Sequence, residues 1–233
     1  GCRVTPAWQQ ILTLAEDDGW TAVYDPTNPD TRTLCDDGGD LFVAEIADGL
    51  GNLPALVQAT EANQFKLLTG HFGQLDGLEG NGTSTLMASS TFTTHAQPNF
   101  DVVVARFGGG ATRTMLDSTT DNRQLTGIDG SGNYIMYAGS SLTGPAANTD
   151  SHVFGALFNG ASSALYEDSS SIMSGDAGSD GRDQCRVGCR DTDGNIWNGD
   201  LGVYLHFNGE PSSAVRTRMF DLLHSLTGIA KAV

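Results

Sequence analysis

Basic side chains are scarce in this sequence. It has 12 lysine and arginine residues against 28 aspartate and glutamate residues, which gives a formal net charge of −16. Lys66 and Lys231 are the only lysines. Because nucleic acid phosphates are bound by clustered lysine and arginine side chains, this charge balance excludes nucleic acid as a partner. It also disfavours binding to an anionic membrane surface.

Long apolar runs are missing as well. No stretch of about 18 consecutive apolar residues occurs, so the sequence predicts no membrane insertion. Thirty glycines among 233 residues, with only 17% charged residues, indicate many tight turns rather than long charged helices. A chain of this length is compatible with one large all-β unit.

Cysteine is present four times, as Cys2, Cys35, Cys185 and Cys189. An even number in a chain rich in glycine and aspartate favours an oxidising compartment with disulfides, for which three connectivities are possible. Residues four apart on a regular strand lie about 13 Å from each other, beyond the reach of a disulfide. We therefore expect Cys185 and Cys189 either to pair with cysteines of the N-terminal region or to be buried thiols.

The order of patterns along the chain predicts one structural unit. Residues 1–63 are expected to form an N-terminal helix and an irregular extension packed on the rest. Residues 64–233 alternate short strands with turns, which is typical of a β-sandwich. An amphipathic helix from near Ser212 to Gly228 closes the chain.

Six short segments carry a resemblance to a known superfamily. In their order and spacing they resemble the laminin-G-like domains of phage and bacterial surface proteins, within the concanavalin A-like lectin and glucanase superfamily. The resemblance implies an all-β fold, an antiparallel jelly-roll β-sandwich with short N-terminal and C-terminal helices. The segments are Trp20-Thr-Ala-Val-Tyr24-Asp25-Pro26, Asp48-Gly-Leu-Gly-Asn52 with Ala59-Thr-Glu-Ala, Leu75-Asp76-Gly77-Leu78, Phe158-Asn159-Gly160 and Trp197-Asn198-Gly199-Asp200.

Catalytic patterns of that superfamily are not found in the sequence. Its β-glucan-cleaving members place carboxylates on one strand as Glu-x-Asp-x-x-Glu. This spacing directs the carboxylates into one substrate cleft. The glutamates of this chain are scattered and none forms that pattern. No Gly-x-Ser-x-Gly elbow is present either. We therefore expect the chain not to be an enzyme.

The segment Asp191-Thr-Asp193-Gly-Asn195 is the best candidate for a metal site. Alternating carboxylate and amide oxygens in a tight glycine turn can surround a hard cation, so Asp191, Asp193 and Asn195 are candidate Ca²⁺ ligands. The alternative is an Asx-rich turn whose side-chain oxygens accept hydrogen bonds from backbone amides.

Two turns carry the candidate glycan-binding residues. Trp197 could stack on a sugar face beside Asn195, and Tyr134 beside Asn133 in another turn offers the same combination. The alternative for Trp197 is an anchor in the core beneath the loop.

Together, the resemblance and these residues predict a non-catalytic carbohydrate-binding or adhesion module. It would be a virion decoration, a fibre or a secreted surface protein, located outside the cell or on a virion. Its expected partners are a glycan or host-surface polysaccharide and copies of itself or other surface subunits. The alternatives are a purely structural capsid or filament protein of the same fold, and a polysaccharide hydrolase or lyase with an unrecognised site.

Overall fold

The computed structural model describes residues 5–232, in which seventeen strands and two α-helices alternate with turns. The helices are α1 (Ala7–Asp18) and α2 (Ser213–Thr227). The strands are β1 (Ala22–Tyr24), β2 (Arg32–Asp37), β3 (Asp40–Ile46), β4 (Leu56–Val57), β5 (Phe65–Phe72), β6 (Leu75–Asn81), β7 (Met87–Ala88), β8 (Asn99–Phe107), β9 (Arg113–Asp117), β10 (Leu125–Ile128), β11 (Asn133–Tyr137), β12 (Ser141–Ala146), β13 (Ser151–Phe158), β14 (Ser163–Glu167), β15 (Ser170–Gly175), β16 (Arg186–Val187) and β17 (Asn198–Phe207).

The strands form one large, nearly closed antiparallel sheet with two walls. Hydrogen bonds join β15, β14, β13, β8, β17, β6 and β5 in that order, and β1 shares an edge of β17 with β6. We call this the helix-covered wall. Strand β3 connects it to the open wall, which runs through β4, β7, β16, β9, β10, β11 and β12. The predicted all-β architecture is thus confirmed in this coarse form, and the jelly-roll connection stays a prediction.

Strands occur where an irregular extension was expected. Before residue 64, β1 pairs with β17, β3 with β5, and β4 with β7. The hairpin between β2 and β3 turns at Gly38 and Gly39, whose positive φ angles of 66° and 103° suit glycine. Residues 22–57 therefore contribute four strands to the sheet itself.

Two apolar layers follow from the alternation of side chains along each strand. In β8, Val103 and Ala105 point between the two walls, whereas Phe100 and Val102 point outwards to the helices. Strand β8 is therefore covered on both faces, as its near-continuous apolar run predicts. Both helices pack on this outer face through one apolar cluster, and neither is long and apolar enough to cross a membrane.

An ion pair is buried between the walls. Arg182 and Asp101 are both 0% exposed, and Arg182 Nη2 donates to Asp101 Oδ2 at 2.8 Å. The other oxygen, Asp101 Oδ1, accepts a hydrogen bond from the Tyr204 hydroxyl at 3.0 Å and lies 2.9 Å from His206 Nδ1. His206 Nε2 in turn lies 3.0 Å from Nδ1 of the half-buried His95. Every charge in this group has a close partner.

The cysteines correct the expectation of disulfides. Cys35, Cys185 and Cys189 are free thiols, and Cys2 lies outside the described residues. Strand β16 has only two residues, and Gly188 leaves it with a φ angle of 79°, so the regular strand assumed between Cys185 and Cys189 does not exist. Both thiols are buried, and burial raises the pKa of each to about 11. They match the second expectation, that of buried thiols.

Candidate functional site

Two loops that the sequence singles out come together on the outer face of the open wall. They are the turn Asp129–Asn133 between β10 and β11 and the loop Asp191–Asn195 before β17. The start of β9 and the residue before it hold both loops. The Thr112 amide donates to the Asp129 carbonyl at 2.9 Å, and the Thr114 amide donates to the Asn195 carbonyl at 2.8 Å. In the part of the chain that the structure describes, no helix covers this face.

A cavity of about 250 Å³ lies between these loops. Leu125, Ile135 and the ring of Tyr137 form its apolar part, because alternate residues of β11 point outwards while Tyr134 and Met136 point into the core. Its polar part is formed by Arg113, Arg123, Arg190, Asp129 and Asn195. An apolar surface with a few convergent polar groups is the usual composition of a small-molecule site.

Arg123 lies over Tyr137. Its guanidinium carbon is 5.2 Å from the ring centroid, within the range of a cation–π contact. Behind the guanidinium, its Nε is 3.3 Å from Asp117 Oδ2 and its Nη2 is 3.8 Å from Asp191 Oδ1. The loop that carries Arg123 is held by Asp183, which accepts hydrogen bonds from the Thr119 hydroxyl at 2.6 Å and the Asn122 amide at 2.9 Å.

Asp117 and Asp191 form a buried carboxylate pair behind the arginines. Their side chains are 0% and 2% exposed, and the Asp191 amide donates to Asp117 Oδ2 at 2.9 Å. Desolvation by burial raises the pKa of Asp117, only partly opposed by the charge of Arg123. Desolvation also acts on Asp191, but the hydrogen bond from Thr120 and the charges of Arg123 and Arg190 outweigh it and lower its pKa. The two carboxyl groups are therefore shifted in opposite directions.

Arg113 and Asp129 complete the polar part. Arg113 Nη1 donates to the carbonyls of Gly82 and Ile196 at 3.0 and 3.1 Å, and its buried Nε has no partner among the described residues. Asp129 Oδ1 accepts hydrogen bonds from the amides of Asn133 and Ser131 at 2.9 and 2.8 Å. The hydrogen bond from Asn133 is the main cause that lowers the pKa of Asp129. Asp129 thus faces the cavity as an ionised group.

Of the predicted glycan-binding residues, Asn195 lines the cavity and Asn133 lies in its neighbouring turn, but both aromatic residues need correction. Trp197 is 0% exposed and packs against Phe107, and Tyr134 is 1% exposed and packs against Phe154. Stacking on a sugar requires an exposed ring face, so both are core anchors. For Trp197 this was the stated alternative.

Sequence reasoning missed Tyr137, Arg123 and Arg190. A signal for Tyr137 was present, because adjacent strand residues face opposite sides. Asn133 and Tyr134 therefore cannot share a face, whereas Asn133 and Tyr137 can. Neither arginine has a comparable local signal, since each reaches the cavity from an irregular loop.

The predicted metal ligands Asp191, Asp193 and Asn195 lie in one tight turn, with positive φ angles of 55° at Asp193 and 50° at Asn195. Asp191 is bound by Thr120 and Arg190, and Asp193 forms an ion pair with Arg186. Within residues 5–232, no three histidine, cysteine, aspartate or glutamate side chains are grouped to hold a metal ion. Calcium at this turn stays a prediction.

No family model and no curated protein matches the chain, but solved structures do. One is domain 4 of AbnA, a GH43 extracellular arabinanase from Geobacillus stearothermophilus, in complex with arabinotriose. It is 14% identical with a TM-score of 0.64, over 88% of this chain and 98% of that chain. An arabinofuranosidase complexed with arabinofuranosyl-alpha-1,2-xylobiose is 11% identical with a TM-score of 0.64, over 93% and 65%. Trypanosoma rangeli sialidase in complex with sialic acid is 9% identical with a TM-score of 0.53, over 93% and 39%.

At these identities the likeness shows the fold alone. The chain spans 65% of the arabinofuranosidase and 39% of the sialidase, so their activities as whole proteins are not assigned to it. The comparison nevertheless contradicts the expectation that the chain is not an enzyme. That expectation rested on the missing Glu-x-Asp-x-x-Glu and Gly-x-Ser-x-Gly patterns, whereas the similar structures come from glycoside hydrolases. The expectation is wrong and is withdrawn.

Proposed function

We propose that this chain binds carbohydrate in the cavity on the open wall. The observation that carries the proposal is the ring of Tyr137, which lines an open cavity among hydrogen-bonding side chains. Sugars offer C–H faces that pack on aromatic rings and hydroxyls that need donors and acceptors. Arg123 and Arg190 supply donors, and Asp129 and Asn195 supply acceptors.

The similar solved structures support the same class of ligand. One was determined with arabinotriose and another with sialic acid. A setting outside the cell or on a virion, and partners among other copies of the chain, rest on the laminin-G-like resemblance. This location and these partners remain predictions, because the geometry of the cavity does not test them.

The chain offers a matched control for the test. Arg216 of α2 lies over Tyr166 at 5.2 Å, the same distance as Arg123 over Tyr137, but this second pair lines a different cavity of about 100 Å³. The test compares Tyr137→Ala with Tyr166→Ala by glycan array and by calorimetric titration of the saccharides that the unaltered protein retains. We expect Tyr137→Ala to weaken binding by about tenfold or more.

Tyr166→Ala is expected to bind as the unaltered protein does, and circular dichroism checks that both variants are folded. Equal losses in the two variants would place the effect in the fold rather than in the cavity. An array on which the unaltered protein retains no saccharide would overturn the proposal.

Glycoside hydrolysis in the same cavity is a second candidate, favoured by the opposite pKa shifts of Asp117 and Asp191. Hydrolysis needs one carboxyl group that gives its proton to the glycosidic oxygen and one carboxylate that takes a proton from the attacking water. Both groups lie behind Arg123, so this candidate requires that arginine to move aside. Release of reducing ends by the unaltered protein, lost in Asp191→Asn, is its expected signature. No release from any saccharide that binds would eliminate it.

A further inference from the structure

Positive charge is concentrated at the open-wall cavity. Three of the ten arginines of the chain, Arg113, Arg123 and Arg190, line it, although the whole chain has a net charge of −16. The carboxylates that balance two of them, Asp117 and Asp191, do not line the cavity. They are buried on the far side of the guanidinium groups. A bound ligand therefore meets the arginines and not their counter-ions.

The hydrogen-bonding groups of the cavity are mostly donors. Arg190 uses its Nε for Asp191, and its side chain is 42% exposed, which leaves both terminal nitrogens for a ligand. Arg113 has two carbonyl partners and no ion-pair partner among the described residues. Asp129 is the single carboxylate in the lining, and one of its oxygens already accepts two backbone amides. The cavity thus lacks acceptors relative to donors.

A carboxylate satisfies such a surface better than a hydroxyl does. It offers about four lone-pair positions and no donor, and its planar geometry fits the two parallel N–H groups of a guanidinium. A carboxylate also adds the attraction between opposite charges, which a neutral hydroxyl does not provide. In a chain with a net charge of −16, three arginines around one cavity form a local positive site that can attract such a ligand.

From these contacts we infer that the saccharide bound here is acidic and carries a carboxylate, as a uronic or sialic acid does. The inference rests on the proposed carbohydrate binding and adds the chemical class of the ligand. The carboxylate lies against Arg190 and Arg123, and the sugar ring packs against the part of the Tyr137 ring that Arg123 does not cover. The cavity volume of about 250 Å³ suits a single ring rather than a long segment.

The test uses pairs of probes that differ in the carboxylate. Oligogalacturonate is compared with its methyl ester, and sialyllactose with lactose, by calorimetric titration. In at least one pair the acidic member is expected to bind about tenfold tighter than the neutral member. Raising the salt concentration from about 50 mM to about 500 mM is expected to reduce that preference.

Two variants assign the preference to the cavity. Arg190→Gln is expected to reduce the preference for the acidic probe to about twofold or less, and Arg216→Gln, in the pair with Tyr166, is expected to leave it unchanged. An acidic preference that survives in both Arg190→Gln and Arg123→Gln would overturn the inference.

The outcomes separate this inference from the proposed function. If neutral probes bind as tightly as acidic ones and Tyr137→Ala abolishes both, carbohydrate binding stands and the acidic class is wrong. If no probe and no arrayed saccharide binds, both fail.

Discussion

Arg182 and Arg123 show how one type of ion pair serves two regions of the molecule differently. Each lies beside a fully buried aspartate, Asp101 for Arg182 and Asp117 for Arg123. Between the walls, Arg182 also donates to two backbone carbonyls at 3.0 Å, and its aspartate has further partners on its second oxygen. At the cavity, Arg123 meets carboxylates on one side only and faces a ring and open space on the other. An arginine whose terminal nitrogens all have partners, as in Arg182, stabilises the fold. An arginine with one side towards a cavity, as in Arg123, can also offer hydrogen bonds to a ligand.

The largest expected effect is the loss of the interior pair. Replacing Arg182 by Met leaves Asp101 charged and buried without its main counter-ion, so the free energy of unfolding is expected to fall by about 3–5 kcal/mol. Equilibrium unfolding in urea measures the change. Arg218→Met, which breaks the ion pair between the half-exposed Arg218 and Asp18, is the control and is expected to cost only a small fraction of that loss. A comparably small loss in Arg182→Met would remove the distinction between the two regions.

Replacing Arg123 at the cavity is expected to have a small effect on stability and a large effect on ligand binding. Arg123→Gln is expected to lower the free energy of unfolding by only about 1–2 kcal/mol, because Asp117, whose pKa is already raised, can take up a proton. Saccharide binding is expected to weaken about tenfold in the same variant. Urea unfolding and calorimetric titration give the two values. A large loss of stability with unchanged binding would make Arg123 another structural arginine.

The smallest expected effect is a pH dependence of the free energy of unfolding that comes from His95, beside the buried ion pair. Burial, with the nearby charges of His206 and Arg182, lowers the pKa of His95 to about 4 from an ordinary value of 6.5. Between these two values the unfolded chain binds more protons than the folded one, so stability rises with pH and is lost as pH falls.

From about pH 7 to about pH 5, the unaltered protein is expected to lose about 1 kcal/mol more stability than His95→Gln, after a discount for the exposed half of the ring. Urea unfolding at the two pH values checks this. Equal losses in both proteins would show that His95 is not coupled to the buried group.

Local patterns predicted the elements but not the site. The apolar run of β8 and the helical spacing around α2 are visible in the sequence because each is satisfied within about ten neighbouring residues. The place of Arg123 depends instead on Asp183, which is about sixty residues away and binds the loop that carries the arginine. Contacts between residues so far apart produce no periodic pattern in the sequence. The aromatic assignments failed for a different reason, since Trp197 and Tyr134 were judged by their neighbours in sequence and not by the face on which they lie.

The pairing of β17 has a consequence for the order of events during synthesis. This strand is the last in the described chain, yet it pairs with β1 near the start and with β6 and β8 in the middle. Ala22 of β1 lies opposite His206, so their contact closes a very long loop in the sequence. Contacts of such separation slow folding, because the entropy of loop closure is lost before they form. The helix-covered wall is therefore completed only after residues 198–207 have left the ribosome. Until then, β1, β6 and β8 lack the strand with which they pair.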